Sequence, residues 1–182
     1  PVNEMYDYCI KEYVEAITSL SYNNYEVLLV DNSKSNSFYN KLKSMKVPVI
    51  KGEYFEEPRD RMVNGRNILK QKVIDDNYDY FLNIDQDVIP PKDIIERFLK
   101  HKKRVVTGIY FNYKKFTPKK LGEKEGERYG DLFPTIWKFT NKKDVLRQVR
   151  ENELTGELAQ IASCGSGCLF IHNSVLKKIK FY

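Results

Sequence analysis

The chain has 182 residues, 41% of them hydrophobic, which suits one domain with a continuous core, and its 13 Tyr and 10 Phe exclude a disordered tail. With 31 Lys and Arg against 25 Asp and Glu the net charge is +6, a balance that favours anionic partners without choosing among nucleic acid, an acidic lipid surface and a phosphorylated small molecule, and that a merely solubilising Lys-rich face would also give. Three cysteines without C-x-x-C spacing (Cys9, Cys164 and Cys168) argue against a disulfide framework and a zinc site, no apolar run approaches the roughly 20 residues of a membrane span, and a reduced, cytoplasmic setting is the expectation.

In chain order, Tyr6, Ile10, Tyr13, Ile17 and Leu20 keep the i, i+4, i+7 rhythm of a helix lying on a core. Tyr25 to Val30 reads as a strand whose consecutive Val27, Leu28, Leu29 and Val30 suit a parallel strand covered on both faces. It stops at the loop Asp31-Asn32-Ser33. A short helix with Phe38, Leu42 and Met45 leads to a strand near Val47 to Lys51, then to a loop closing at Pro58. Helical spacing at Met62, Leu69 and Val73 predicts a helix from about Arg59 to Asp76, and Tyr78 to Ile84 is strand-like and runs directly into Asp85-Gln86-Asp87. Pro90-Pro91 starts another helix that buries Ile94, Ile95, Phe98 and Leu99, and Arg104 to Phe111 is the next strand.

This β-α-β-α alternation predicts an α/β fold with an open, mostly parallel sheet and helices on both faces. Asn112 to Asp131, with six basic and four acidic residues and three glycines, breaks the rhythm and reads as a long loop. Beyond it come a strand at Phe133 to Thr140, a helix at Asp144 to Glu153, strands at Gln160 to Ser163 and Cys168 to His172, and a closing helix at Ser174 to Lys180. No internal repeat appears, and residues 1–182 are expected to form a single domain trimmed at both ends.

Open α/β sheets bind ligands beyond the carboxyl ends of their strands, so residues where strands stop carry the most information. Two of the most apolar strands stop at Asp31 and Asp85. Asp31 alone could equally cap the following helix. Asp85 and Asp87, one residue apart, repel each other unless a cation or hydrogen-bond donors sit there, and Mg2+ or Mn2+ binds through one or two carboxylates plus substrate phosphates. Arg66 places a guanidinium on the apolar stripe of its helix. It is either a structural ion-pair partner or an arginine reaching an anionic ligand, or reaching a carboxylate that holds the ligand. The turn Cys164-Gly165-Ser166-Gly167-Cys168 permits close backbone approach but also suits a plain connection. His101 and His172 are too isolated for a histidine metal site, and Trp137 could stack on a sugar or simply pack.

Taken together, Glu26 to Ser33, Gly65-Arg66-Asn67, Tyr80 to Asp87 and Gly165 to His172 resemble, in order and spacing, the GT-A glycosyltransferases, in particular the inverting family 2 type. The resemblance implies that Pro1-Val2 ends the family's first strand, with the strand itself upstream. It implies that Asp31 binds the nucleotide base with Ser33 among the donor-binding residues, that Arg66 serves the base or phosphate region, that Asp85 reaches ribose or metal, and that Asp87 is the direct metal ligand. The Gly165-Ser166-Gly167 turn would border the acceptor site. The catalytic base stays unassigned, because the family's acidic residue after the last motif has no counterpart here.

The implied donor is a UDP- or GDP-sugar, the implied ion Mn2+ or Mg2+, and the acceptor a glycan, glycolipid or glycoprotein. Nucleic acid is not an expected partner, while the basic charge suits peripheral contact with an anionic membrane. Three alternatives compete. A phosphatase-like hydrolase would use the first Asp of D-x-D as nucleophile. A sugar-nucleotide-forming nucleotidyltransferase would need a Gly-rich basic loop that is not visible. A non-catalytic nucleic-acid-binding module would use Lys114 to Arg128 and bind with strong salt dependence.

Overall fold

A computed structural model of the chain describes residues 1–116, 129–142 and 144–182. The described residues divide into two compact units, Pro1–Val106 with Ser166–Tyr182, and Thr107–Gly165.

In the first unit a 3-10 segment, Glu4–Cys9, leads into α1 (Ile10–Thr18), followed by β1 (Leu29–Asp31), α2 (Ser37–Ser44), β2 (Val49–Lys51), α3 (Pro58–Asp75), β3 (Tyr80–Ile84), α4 (Ile94–Leu99) and β4 (Val105–Thr107). The second unit contributes β5 (Phe111–Phe116), β6 (Tyr129–Pro134), β7 (Ile136–Phe139), β8 (Leu146–Gln148), a 3-10 turn at Glu151–Glu153 and β9 (Ser163–Cys164). The chain then returns to the first unit with β10 (Cys168–His172) and α5 (Asn173–Leu176).

The expected βαβ rhythm is present up to β4, and the fold is mixed α/β with parallel and antiparallel ladders. β1 pairs in parallel with β2, Leu29 opposite Val49, and Val2 adds a parallel bridge to Asp31. β10 lies between β3 and β4 and runs antiparallel to β3, Cys168 opposite Ile84. Leu29 packs into a cluster with Val2, Ile10, Tyr13, Ile17 and Leu42, whereas its neighbour Val30 packs into another with Leu69, Phe81, Ile171 and Leu176. Alternate residues of β1 thus enter different cores, which is why its sequence is continuously apolar. Each such burial contributes about 1.5–3 kcal/mol.

Several elements differ from expectation in extent. The first helix is split, with a 3-10 segment before Ile10, and its N-cap Asn3 accepts a hydrogen bond from the Met5 amide. β1 starts only at Leu29, and Val27 and Leu28 before it line a cavity of about 430 Å3. That cavity is bounded by Val27 to Leu29 on one side and Tyr80 to Ile84 on the other, with Tyr13, Ile17, Leu69 and Val73 supplied by the helices. α3 begins with proline in its first turn and buries Arg61, Gly65, Arg66 and Leu69, while Met62 is exposed, so its inner face is rotated from the predicted stripe. Gly65 makes that rotation feasible: a Cβ there would stand 2.9 Å from the Pro1 side chain. No described helix is long and apolar enough to cross a membrane.

The second unit corrects two expectations. The predicted loop from Asn112 to Asp131 begins and ends as strand, β5 pairing antiparallel with β6 and Phe111 facing Pro134; residues 117–128 lie outside the described residues. The predicted helix from Asp144 to Glu153 is instead β8, paired antiparallel with β7, plus the 3-10 turn. Val145 and Val149 stand four apart, a spacing that fits one face of a helix and one face of a strand alike. Asp144, at φ 61°, closes a turn no helix would start from.

Candidate functional site

Two loops at strand ends carry the predicted site residues. At the end of β1, Asp31 and Ser33 are fully buried. One Asp31 carboxylate oxygen accepts the Ser33 amide at 2.9 Å and the other accepts Lys51 Nζ at 2.8 Å. Lys51 also donates to the carbonyls of Ser33 (2.6 Å) and Ser35 (2.7 Å), so the loop is wrapped around one ammonium group that balances the buried carboxylate. The Ser33 hydroxyl accepts the Glu4 amide at 2.8 Å. Asn32 is held from both sides: Asn3 Nδ2 donates to its side-chain oxygen at 2.9 Å, and its own Nδ2 donates to the Arg61 carbonyl at 3.2 Å. Both Asp31 and Ser33 therefore shape the loop from within.

At the end of β3, the Asp85 amide donates to the Gly167 carbonyl at 2.8 Å and the Val88 amide closes a turn onto the Asp85 carbonyl at 2.9 Å. Asp85 Oδ1 accepts Arg66 Nη2 at 2.8 Å and Asn83 Nδ2 at 3.2 Å. Asn83 Nδ2 reaches the Ser166 carbonyl as well, at 2.5 Å, tying Asp85 to the glycine turn. Arg66 thus meets a carboxylate rather than standing alone in the apolar stripe. Its Nε is buried without a partner among the described residues.

Asp87 differs from Asp85 in being exposed, and among the described residues no ion pair reaches it. Gln86 between them is buried, so the turn runs from half-buried Asp85 through buried Gln86 to exposed Asp87. Behind it, the Tyr13 hydroxyl donates to the Ile84 carbonyl at 2.9 Å. Burial raises the Tyr13 phenol's pKa above its ordinary value, and the Asp85 charge adds to the effect. Burial likewise raises the Cys9 thiol, with the nearby Asp87 charge acting in the same direction.

Among the described residues no cluster of three or more His, Cys, Asp or Glu forms a closed metal cage. A single exposed carboxylate beside one already charge-balanced fits a hard divalent ion that takes few protein ligands and fills its remaining positions with phosphate and water. Among the described residues of this turn, exposed Asp87 is the carboxylate that could hold such an ion, with Asp85 beside it.

The other singled-out residues do not gather here. Trp137 is half-buried on β7, opposite Gln148 and Ser163. His172 caps α5, its ring nitrogen accepting the Ser174 amide at 3.1 Å. Gly165 is a close-approach position, since a Cβ there would run into the Tyr110 hydroxyl. Sequence reasoning missed Asn83, Gln86, Lys51 and Asn3. The one readable signal among them is Asn83, a polar residue at an inward position of an otherwise apolar strand.

No curated protein matches the chain. The crystal structure of A197 from STIV is similar at 16% identity and a TM-score of 0.42, over 84% of this chain and 66% of that one, a likeness too low to add to the assignment. Residues 3–176 match Glycosyl transferase family 2, the strand-end aspartates and the α3 arginine falling inside the match, and the chain, with its GT-A, Rossmann-like fold, belongs to that family.

Proposed function

We propose that the chain binds a nucleoside-diphosphate sugar together with Mn2+ or Mg2+ and serves transfer of the sugar to an acceptor hydroxyl of a glycan, glycolipid or glycoprotein. The observation that carries this reading is the inequality of the two aspartates after β3: Asp85 is neutralised by Arg66, whereas Asp87 is exposed. Two adjacent carboxylates of equal exposure would repel; one pinned and one presented leaves a single directed ligand. The ion, when bound, would neutralise charge on the departing diphosphate.

This chain's residues have the remaining tasks. Asp87 holds the ion's position, and Arg66 and Asn83 fix Asp85 beside the ribose. Asp31, Ser33 and Lys51 keep the β1 loop in shape for the base. In the transfer, the bond from anomeric carbon to diphosphate oxygen breaks as the acceptor oxygen bonds to that carbon, and a single displacement inverts the centre. The general base is not assigned to any residue of this chain.

Calorimetric titration of UDP and GDP with and without Mn2+ tests the reading. One nucleotide should bind, the metal should tighten that binding, and Asp87→Ala should abolish the metal-dependent part while leaving thermal unfolding unchanged. Equal affinity in the variant and the parent would remove Asp87 from the site. Metal-independent binding that weakens steeply with salt would instead favour a nucleic-acid module.

A further inference from the structure

We infer that Gln86, the middle residue of the Asp85-Gln86-Asp87 turn, is a positioning residue that couples the metal subsite to the nucleoside subsite. The inference rests on the donor-binding reading above and goes beyond it by naming the residue through which the two subsites communicate.

Gln86 is 4% exposed, an unusual place for a long polar side chain, and both its side-chain oxygen and nitrogen have a hydrogen-bond partner. Its Oε1 accepts the Asn3 amide at 2.8 Å and its Nε2 donates to the Tyr6 carbonyl at 3.0 Å. A backbone N–H can only donate and a backbone carbonyl only accept, so these two partners fix the orientation of the side-chain amide. Its backbone carbonyl also lies 3.3 Å from the Cys9 Sγ, whose single S–H is shared with the Tyr6 carbonyl at 3.2 Å. Three contacts therefore fasten the turn that carries Asp87 to the segment Asn3–Cys9.

That segment is in turn fastened to the β1 loop. Asn3 Nδ2 donates to both the carbonyl (3.2 Å) and the side-chain oxygen (2.9 Å) of Asn32, and the Glu4 amide donates to the Ser33 hydroxyl. The path from the presented carboxylate to the base-binding loop thus consists of charge-neutral hydrogen bonds, with the side chains of Gln86 and Asn3 as its main links beside the Glu4 amide–Ser33 hydroxyl bond. No other residue of the Asp85–Asp87 turn bonds to this segment through its side chain among the described contacts.

Holding Asp87 with a cation restricts the turn, and through Gln86 it restricts Asn3–Tyr6 and the loop beyond. A nucleoside then meets an already ordered loop and loses less conformational freedom on binding, which gives positive coupling without any contact between the two ligands. By reciprocity the nucleoside must tighten the metal by the same factor.

The test uses nucleosides, which lack the diphosphate that would bridge to the ion, so the direct link between the two ligands through phosphate is removed. Equilibrium dialysis of uridine and of guanosine, with and without saturating Mg2+, should show one of them tightened about fivefold or more, the lower end of ordinary coupling. Gln86→Met keeps the length and removes both hydrogen bonds; it should leave each ligand's separate binding within about twofold and abolish the tightening. Asn3→Asp provides an independent cut that leaves the Asn3 backbone and its Oδ1 cap in place, removes the donors to Asn32, and should abolish coupling in the same way even where Gln86→Met is poorly folded. Binding of both probes to the parent without mutual tightening, or tightening that survives in either folded variant, overturns the inference. Failure of the parent to bind either nucleosides or Mg2+ overturns the donor-site reading and the inference with it.

Discussion

Replacing Arg66 by Met keeps an unbranched stem within α3 and removes the guanidinium that donates to Asp85 at 2.8 Å. A hydrogen bond between charged groups contributes about 1.5–3 kcal/mol. Here solvent discounts it, since the Arg66 and Asp85 side chains are 10% and 29% exposed. Asp85 also keeps its bond from Asn83. A further offset of about 1 kcal/mol comes from eliminating the buried, partnerless Nε. The net loss is then about 0.5–2 kcal/mol at most, which for a chain of this size lowers the unfolding midpoint by roughly 1–8 °C. Freed from its arginine, Asp85 repels Asp87 and the donor diphosphate, so nucleotide affinity should fall about tenfold or more. Thermal unfolding and calorimetry of Arg66→Met, Asp85→Asn and the double variant form a cycle that isolates the pair. Additivity within about 0.3–0.5 kcal/mol, together with unchanged nucleotide affinity, would refute the argument that Arg66 acts through Asp85.

Two further outcomes are expected. Gly52→Ala would bring a Cβ to 2.8 Å from Val30 Cγ1 and 3.4 Å from the Asp31 carbonyl. Val30 is fully buried, so denaturant unfolding should show a loss of about 1–3 kcal/mol, and a neutral result would mean the β1–β2 region yields more easily than its packing implies. In the second unit, Glu153 receives both terminal nitrogens of Arg147, at 2.7 and 2.6 Å, and the Arg150 amide. The Arg147 hydrogen bonds, then the Arg150 amide, hold the Glu153 carboxyl well below its ordinary 4.5, at about 2. The folded pKa is depressed, so the pair's contribution is fully present above about pH 4.5 and is lost as pH falls towards 2. Carbon-13 NMR titration of the Glu153 side chain reads this directly, and a midpoint near 4.5 would contradict it.

The residue pattern made one part of this fold legible and hid another for the same physical reason. From α1 to β4 each element has its own period: the continuously apolar Leu29 and Val30 announce a strand covered on both faces, and Asp85 stands visibly where β3 stops. The β7–β8 hairpin hid behind Val145 and Val149, whose spacing serves both periods, and the β5–β6 hairpin hid behind a run of charges that a two-stranded ribbon tolerates. In α3 the stripe was read from Met62, but the small Gly65 is what lets the helix approach Pro1. At the site, Asp31, Asp85, Asp87 and Arg66 stood out because charges beside apolar runs are conspicuous. Gln86, Asn83 and Lys51 were silent because their importance lies in partners from distant elements: Asn3 lies 83 positions from Gln86 and Ser166 the same distance from Asn83.

The cavity between Val27–Leu29 and Tyr80–Ile84 has walls of an uncommon kind. β3 is an edge strand of its ladder, β1 is flanked by β2 on one side and at its end by Val2 on the other, and helical side chains such as Ile17 and Leu69 enclose the space between β1 and β3. Such a trough offers backbone hydrogen-bonding groups along its rims and apolar surface above and below, the two things an extended polypeptide seeks. It does not discriminate between a segment of the same molecule and a segment of a neighbour. The recess is lined by uncharged strand residues together with Glu26, Asp76, Asp79 and Lys72, so the net charge of +6 is not what it presents to an approaching chain. Strand exchange between copies through this trough is the failure to guard against when the protein is concentrated.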